Sequence, residues 1–438
     1  MNSEVNHPGG TAVGTGSLLV LGVLSLVVGA ASGLMGAVFR LSLGWAERLR
    51  DALVTWAHGE GVAGFLLVTV TCAAATAIAA WLVRRFSPHA SGSGIPHVEA
   101  VLREELPPAP FRLIPVKFLG GVLAIGSGLA LGREGPSVQM GASLAHLVGT
   151  VFRRSWPDCR VLLAAGAGAG LATAFNAPIA GAVFVLEELV RRFETRIAIA
   201  ALGASATAMS VARLFLGEAP EFQVEPLDYG SSEGKLLFVV LGAVAGFLAI
   251  AYNRTILAAI AAADRLSSWP VEARAALVGA TVGTLAWFAP ELVGGGEPLT
   301  QRTLAGAMTF SLLPVVFLLR FGLGPVSYAA RTPGGLFAPM LVLGAQLGLL
   351  FGTLCRQAHP GLDAPPEAFA VVGMAAFFTG VVRAPVTGIV LIIEMTASFT
   401  MLLPMLGACF AAMLVPTLLG DPPIYDSLRE RPEPDRAG

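Results

Sequence analysis

Two glutamates are the residues of this sequence whose setting points most directly to chemistry. Glu134 lies in the motif Gly-Arg-Glu-Gly-Pro, which interrupts apolar sequence, and Glu188 follows the apolar run 179–186. An ionisable side chain within a membrane interior is costly, and where one occurs it commonly serves ion or proton transfer. The sequence therefore predicts that Glu134 and Glu188 take part in proton transfer.

A structural interpretation of Glu188 stays open beside this one. The segment Glu-Glu-Leu-Val-Arg-Arg at 187–192 is also typical of a helix end at a membrane surface, where carboxylates lie near arginines. Glu394 has the same ambiguity. The two interpretations differ in consequence, because a proton-transfer residue is required for coupled transport and a surface acid is dispensable.

Four Gly/Pro-rich motifs interrupt the apolar sequence and predict an anion site. They are Gly-Ser-Gly-Ile-Pro at 92–96, the Glu134 motif at 132–136, Gly-Gly-Leu-Phe-Ala-Pro at 334–339 and Pro-Ile-Tyr at 423–425. Glycine permits a tight turn, and proline fits the first turn of the helix that follows. Such helix starts present free N–H groups and the positive end of the helix dipole. Several that converge would bind an anion, with the hydroxyls of Ser93 and Tyr425 as two further donors.

The chain contains an internal repeat. The pattern G-x-x-x-P-x-x-x-x-G-A at 132–142 recurs at 335–345, displaced by 203 positions. Ala-Pro-x-x-Gly followed by Glu at 177–187 recurs at 384–394, displaced by 207 positions. Two matches in the same order indicate two homologous halves, and such repeats build secondary transporters with the binding site where broken helices meet.

Composition indicates what kind of protein holds these residues. Of 438 residues, 55% are hydrophobic and 13% charged, and the mean hydropathy is +0.73. Together with 52 glycines and 29 prolines, these values predict an all-α polytopic membrane protein with irregular interior backbone. A net charge of −1 gives no reason to expect nucleic acid as a partner. The predicted spans 17–39 and 63–83 enclose a loop that carries Arg40, Arg48 and Arg50.

The predicted organisation has five parts. A polar amino-terminal tail at 1–16 precedes a first membrane repeat at 17–216. A polar connection at 217–234 leads to a second repeat at 235–428, and a short polar tail at 429–438 follows.

Other classes of function find little support in the sequence. The four cysteines are far apart and the six histidines form no cluster, so no metal site is expected. The chain has no phosphate-binding G-x-x-x-x-G-K-[ST] motif and no identifiable Ser–His pair, so neither a cofactor nor an enzymatic activity is predicted. An intramembrane hydrolase and a scaffolding membrane protein are the alternatives from other classes. Irregular backbone at membrane depth argues against a scaffold, since it must line something.

At these motifs the sequence resembles the CLC family of chloride channels and chloride/proton antiporters. The similarity runs from about Ser17 to about Leu428 and includes Phe-Asn-Ala-Pro at 175–178. The resemblance implies two inverted-topology repeats of tilted and broken helices, and a homodimer in a lipid bilayer with one anion pathway per subunit. It also implies a compact prokaryotic-type member without CBS domains, in the bacterial cytoplasmic (inner) membrane.

The resemblance also implies roles for individual residues. Glu134 would be the external gating glutamate that competes with chloride, and Glu188 the internal proton-transfer glutamate. The implied anion-binding residues are Ser93, Gly94, Ile95, Gly135, Leu336, Phe337 and Tyr425, with hydroxyls from the serine and tyrosine and backbone amides from Leu336 and Phe337.

The function that follows by resemblance is exchange of chloride for protons. Ser93 favours chloride over nitrate, and Glu188 favours exchange over the alternative, a passive voltage- or pH-gated chloride channel on the same scaffold. Two departures from the family pattern are His97 and Arg331. Arg331 is expected to alter anion access or the electrostatic potential of the inner vestibule.

Overall fold

The computed structural model describes residues 15–227, 229 and 232–431. Most of the two predicted polar tails lies outside the described residues. The described part of the chain folds into seventeen α-helices: α1 Thr15–Ala57, α2 Gly61–Phe86, α3 Ile95–Leu102, α4 Leu113–Gly126, α5 Glu134–Val151, α6 Trp156–Phe175, α7 Pro178–Phe184, α8 Thr195–Leu216, α9 Ser232–Arg265, α10 Val271–Phe288, α11 Glu297–Leu304, α12 Leu313–Tyr328, α13 Phe337–Ala358, α14 Pro366–Val382, α15 Pro385–Thr396, α16 Leu402–Leu418 and α17 Ile424–Arg429.

Two inverted repeats organise these helices, and the predicted fold class is confirmed. Helices α1–α8 correspond in order to α9–α16, and α17 is added after the second repeat. The sequence matches fall on equivalent elements, since one links the start of α5 to that of α13 and the other links α7 to α15.

Corresponding helix pairs pack through corresponding glycines. A Cβ added to Gly141 on α5 would lie 2.2 Å from the carbonyl oxygen of Gly166 on α6, and one added to Gly344 on α13 would lie 2.5 Å from that of Gly373 on α14. The backbones therefore touch, as is common between helices in membranes. This close approach packs α5 against α6 and α13 against α14 at the centre of each repeat.

The protein is an integral membrane protein. Six helical segments among the described residues are long and apolar enough to cross a membrane: Leu18–Phe86, Trp156–Phe175, Thr195–Leu216, Lys235–Arg265, Phe337–Ala358 and Phe399–Leu418. Their outward faces carry exposed large apolar side chains, such as Leu214 on α8 and Phe410 on α16. Shorter apolar helices, among them α4 and α15, complete the interior.

The prediction of a loop after the first span is wrong. Arg40, Arg48 and Arg50 lie within α1, which is 43 residues long. Two of these arginines bind carboxylates: Arg40 binds Glu221 at 2.7 Å, and Arg50 binds Asp51 at 2.8 Å. Helical backbone can therefore continue through charged positions that the hydropathy pattern marks as a boundary.

Candidate functional site

The loops that precede α3, α5 and α13 meet at the centre of the molecule. Backbone hydrogen bonds join Gly132 and Gly335 in both directions, with N···O distances of 2.9 and 2.7 Å. The Gly92 N–H donates to the carbonyl of Thr332 at 3.0 Å, and the Gly334 N–H donates to the carbonyl of Gly92 at 3.0 Å. The two repeats therefore bring their helix starts together, as the Gly/Pro motifs predict.

Glu134 occupies the start of α13. Its side chain is fully buried, and Oε1 accepts the N–H groups of Phe337 at 2.6 Å and Ala338 at 3.3 Å. A Cβ at Gly335 would lie 2.4 Å from Oε1, and one at Gly132 would lie 2.1 Å from Oε2, so both glycines leave room for the carboxylate. The carboxylate thus occupies the position at the amides and the positive helix end where an anion would bind.

Two hydroxyl groups lie beside this helix start. Ser93 and Tyr425 are fully buried, and neither hydroxyl has a hydrogen-bond partner among the described residues. The ring of Tyr425 stacks on Phe337, with centroids 6.1 Å apart, and a Cβ at Gly135 would lie 2.5 Å from Ser93 Oγ. Because an unpaired buried hydroxyl is costly, both groups are suited to donate to an anion.

The remaining predicted anion-site residues lie at buried helix starts. Gly94 adopts a left-handed conformation with φ of 83° and precedes α3, of which Ile95 is the first residue. Leu336 precedes α13 and is fully buried. The structure thus places all seven predicted anion-site residues at the starts of α3, α5, α13 and α17.

Two further residues, to which the sequence motifs assign no role, support Ser93. Lys117 on α4 is fully buried, and its Nζ donates to the carbonyls of Ala90 at 3.0 Å and Gly92 at 2.7 Å. The hydroxyl of Tyr328 accepts the Ser93 N–H at 3.3 Å. The sequence itself shows that Lys117 is unusual, because it is a charged residue within an apolar segment. No local pattern connects Tyr328 with Ser93, which lies 235 positions away.

Glu188 is buried rather than at the surface. It lies in a π-helical turn, Val185–Leu189, that follows α7, and its side chain is 3% exposed. Its Oε1 accepts a hydrogen bond from Arg191 at 3.2 Å, and the buried carboxyl of Glu99 on α3 lies close to it. The structure thus pairs Glu188 with an arginine, as the structural interpretation expects, and buries its side chain within the protein.

Glu187 and Glu394 have equivalent structural positions in the two repeats. Glu187 accepts the N–H groups of Val386 at 3.0 Å and Thr387 at 2.6 Å at the start of α15. Glu394 accepts those of Ile179 at 3.0 Å and Ala180 at 2.8 Å at the start of α7. Each carboxylate therefore caps a helix of the other repeat.

The two departures from the family pattern have defined surroundings. Arg331 has a left-handed backbone with φ of 57°, and its guanidinium binds Asp264 at 2.5 Å. The ring of His97 lies 4.8 Å from that of His89, measured between centroids. Arg331 is thus held by a carboxylate at the end of α9.

A cluster of charged residues lies next to Glu134 and includes Glu221 of the connection between the repeats. Arg133 pairs with Glu221, which also binds Arg40 at 2.7 Å, and Arg133 lies 3.5 Å from Glu297. Burial opposes ionisation of Glu221, but the guanidiniums of Arg133 and Arg40 hold the pKa of this carboxyl below its ordinary value of 4.5. Arg133, Glu221 and Glu297 line a small cavity that reaches Ala338.

The chain is similar in sequence to known proteins. Residues 75–417 match the family model described as voltage gated chloride channel. The chain is 36% identical over 421 residues to the H(+)/Cl(-) exchange transporter ClcA of Salmonella arizonae, covering 94% of this chain and 89% of the relative.

Solved structures share this fold. A slow cyanobacterial Cl−/H+ antiporter matches with a TM-score of 0.90 and 33% identity, over 94% of this chain and 97% of that one. A eukaryotic CLC transporter matches with a TM-score of 0.80 and 25% identity, over 94% of this chain and 74% of that one. This chain belongs to the CLC family of chloride channels and chloride/proton antiporters.

Proposed function

We propose that this protein exchanges chloride for protons across a membrane and is a transporter, not an enzyme. The observation that carries the proposal is the position of the Glu134 carboxylate on the amides of Phe337 and Ala338. A carboxylate and a transported anion compete for these donors. The 36% identity to a named H(+)/Cl(-) exchange transporter over nearly the whole chain supports the same function. Ion gradients alone drive such exchange, and it requires no cofactor.

Protonation of Glu134 is the step that links the two ions. The charged carboxylate occupies the start of α13, and protonation removes the charge that the helix end stabilises. The neutral side chain then leaves these amides, and chloride takes its place. In this proposal Ser93 and Tyr425 donate their hydroxyls to chloride, and the backbone amides of Leu336 and Phe337 complete the site.

Protons reach Glu134 from the other side of the membrane through Glu188. Glu188 is buried beside Glu99, so it exchanges protons away from bulk water. A passive chloride channel would need the anion site but not a buried proton acceptor. The buried position of Glu188 therefore supports exchange over a channel.

The assembly and location follow from the same proposal. All the proposed anion-site residues come from one chain, so each subunit of a homodimer would carry its own pathway. Exposed apolar residues on α8 and α16, such as Leu202 and Leu406, provide surface for lipid or a second subunit. The bacterial relatives support the cytoplasmic membrane of a bacterium as the location.

The test is proton movement in liposomes driven only by a chloride gradient. We expect the purified protein to move protons against their gradient. In Glu134→Gln, proton flux should fall about 100-fold, because the group that binds the proton is gone, while chloride still moves. The exposed Glu218 offers a control: Glu218→Gln should exchange both ions as the parent protein does.

Two results would contradict the proposal. Chloride flux without coupled proton movement in the parent protein would identify a channel. Uphill proton movement that persists in a well-folded Glu134→Gln variant would remove Glu134 from the exchange mechanism.

A further inference from the structure

Five charged residues form what we call the inner ionic cluster. Arg191 lies 3.2 Å from Glu188 and 2.8 Å from Asp426, measured between guanidinium nitrogen and carboxylate oxygen. Arg429 lies 3.1 Å from Glu99 and 3.1 Å from Asp426. The cluster thus contains three acidic groups and two guanidiniums, in which each arginine bridges two acids.

The cluster joins the proposed proton path to the proposed chloride path. Asp426 directly follows Tyr425 on α17, whose six residues run from Ile424 to Arg429. Glu188 lies on the π-helical turn after α7. Arg191 contacts both carboxylates, so a single side chain connects the two elements. These elements are 235 residues apart in sequence.

The backbone of Arg191 is shaped for this contact. Its φ is 54°, a conformation that residues with a side chain rarely adopt. Its Nε donates to the carbonyl of Glu188 at 3.2 Å while the two terminal nitrogens bind Glu188 Oε1 and Asp426 Oδ2. The guanidinium is therefore folded back over the turn and held by three hydrogen bonds.

The cluster is shielded from water to different degrees. The side chains of Glu99 and Glu188 are 0% and 3% exposed, those of Asp426 and Arg429 are 17% and 11% exposed, and that of Arg191 is 33% exposed. Burial strengthens electrostatic interactions and makes the loss of one partner consequential. A change in the charge of Glu188 is therefore felt by Arg191, and through Arg191 by Asp426.

We propose that Arg191 and Asp426 are positioning residues. Their ion pair makes the position of Tyr425 depend on whether Glu188 is protonated. When Glu188 binds a proton, its carboxyl loses its charge, and Asp426 is then the one of these two carboxyls that still forms an ion pair with Arg191. The position of α17, which carries Asp426 and Tyr425, changes as a result. Without the ion pair between Arg191 and Asp426, which we call the bridge, Tyr425 moves independently of the protonation of Glu188. Chloride then crosses without a proton moving in exchange. This inference rests on the proposed roles of Glu188 and Tyr425.

The test measures the number of protons moved per chloride in liposomes, from the reversal potential. In Asp426→Asn we expect this ratio to fall about three-fold, with chloride turnover retained or increased. Arg191→Gln should lower the ratio in the same direction and serves if Asp426→Asn folds poorly. Asp426→Glu keeps the charge and should restore most of the coupling.

Glu430→Gln is the matched control. Glu430 also lies near Arg429, at 3.9 Å, but its side chain is 75% exposed and it does not contact Arg191. Its loss should leave the ratio unchanged, which separates the bridge from a general change of charge on this segment.

An unchanged ratio in both Asp426→Asn and Arg191→Gln overturns the inference. A slower flux of both ions at the parent ratio also overturns it, because that result describes a loss of active protein. Glu188→Gln, measured in parallel, separates the two levels of the proposal. Coupled exchange that persists in Glu188→Gln refutes the proposed proton path. If Glu188→Gln loses coupling while Asp426→Asn and Arg191→Gln retain it, only the role of the bridge is refuted.

Discussion

Ser93 illustrates how single residues are prepared for an anion at this site. Its hydroxyl has no hydrogen-bond partner among the described residues, while its N–H donates to the hydroxyl of Tyr328 at 3.3 Å. Lys117 lies on the other side of the loop and binds the carbonyl of Gly92 at 2.7 Å. The backbone around Ser93 is thus satisfied by side chains from two helices, which leaves its hydroxyl available.

Tyr328→Phe should weaken chloride binding. The substitution leaves the buried N–H of Ser93 without its acceptor, at a cost of about 1–3 kcal/mol that loosens the Ser93 loop. We expect the chloride dissociation constant, measured by isothermal titration calorimetry in detergent, to rise by about five-fold or more. Tyr252→Phe is the control, since Tyr252 is buried on α9 and its hydroxyl binds no described residue. Equal affinities of Tyr328→Phe and the parent would contradict the prediction.

At the scale of helices, the two repeats hold each other through α7 and α15. Glu187, just after α7, caps the start of α15, and Glu394, near the end of α15, caps the start of α7. The first helical turns have no intrahelical acceptor for their N–H groups, so a carboxylate from the opposite repeat satisfies them. The repeat displacement of 207 positions links these two glutamates, and their reciprocal contacts explain why both halves carry one.

Glu394→Ala should destabilise the fold. It removes two hydrogen bonds and a favourable charge at the start of α7, worth about 1–2 kcal/mol together. The melting temperature in detergent, followed by tryptophan fluorescence, should therefore fall, and Glu187→Ala should show a similar fall at α15. Glu218→Ala, at an exposed position, should melt with the parent protein. A Glu394→Ala variant as stable as that control would refute the capping role.

At the scale of the whole molecule, the connection between the repeats, residues 217–234, contacts both halves through Glu221 and Phe222. Glu221 binds Arg40 of α1 and Arg133 of the loop before α5, both from the first repeat. The next residue, Phe222, donates its N–H to the carbonyl of Met395 on α15 at 2.9 Å. The connection is therefore a structural part of both repeats, because its contacts reach into each of them.

Glu221→Gln should lower stability in a pH-dependent way. At neutral pH the variant leaves two largely buried guanidiniums without their full partner, a loss of about 2–4 kcal/mol. Because the folded pKa of Glu221 is below the ordinary value of 4.5, this stabilisation exists above that value and declines as the pH falls through the folded pKa. The gap in melting temperature between parent and variant should narrow from about pH 7 to about pH 3. A gap of constant size would contradict the prediction.

Local chemistry is what the sequence encodes directly, and it determined much of this protein. Glycine and proline set where α3, α5 and α13 begin, because turn geometry and proline φ depend only on nearby residues. Apolar composition determined the membrane class, and the 203-residue displacement revealed the repeat. The motif around Glu134 was sufficient to predict a glutamate at a helix start that suits an anion.

Tertiary structure alone decided which distant groups meet. Glu134 binds the amide of Phe337, Tyr328 binds the amide of Ser93, and Arg191 binds Asp426, yet each pair is separated by more than two hundred residues. No local pattern encodes such contacts, since they arise when the repeats pack against each other. Hydropathy likewise failed at α1, where Arg40 continues a helix because Glu221, 181 residues away, neutralises its charge. Local sequence thus determined which elements form, and packing decided which residues act together.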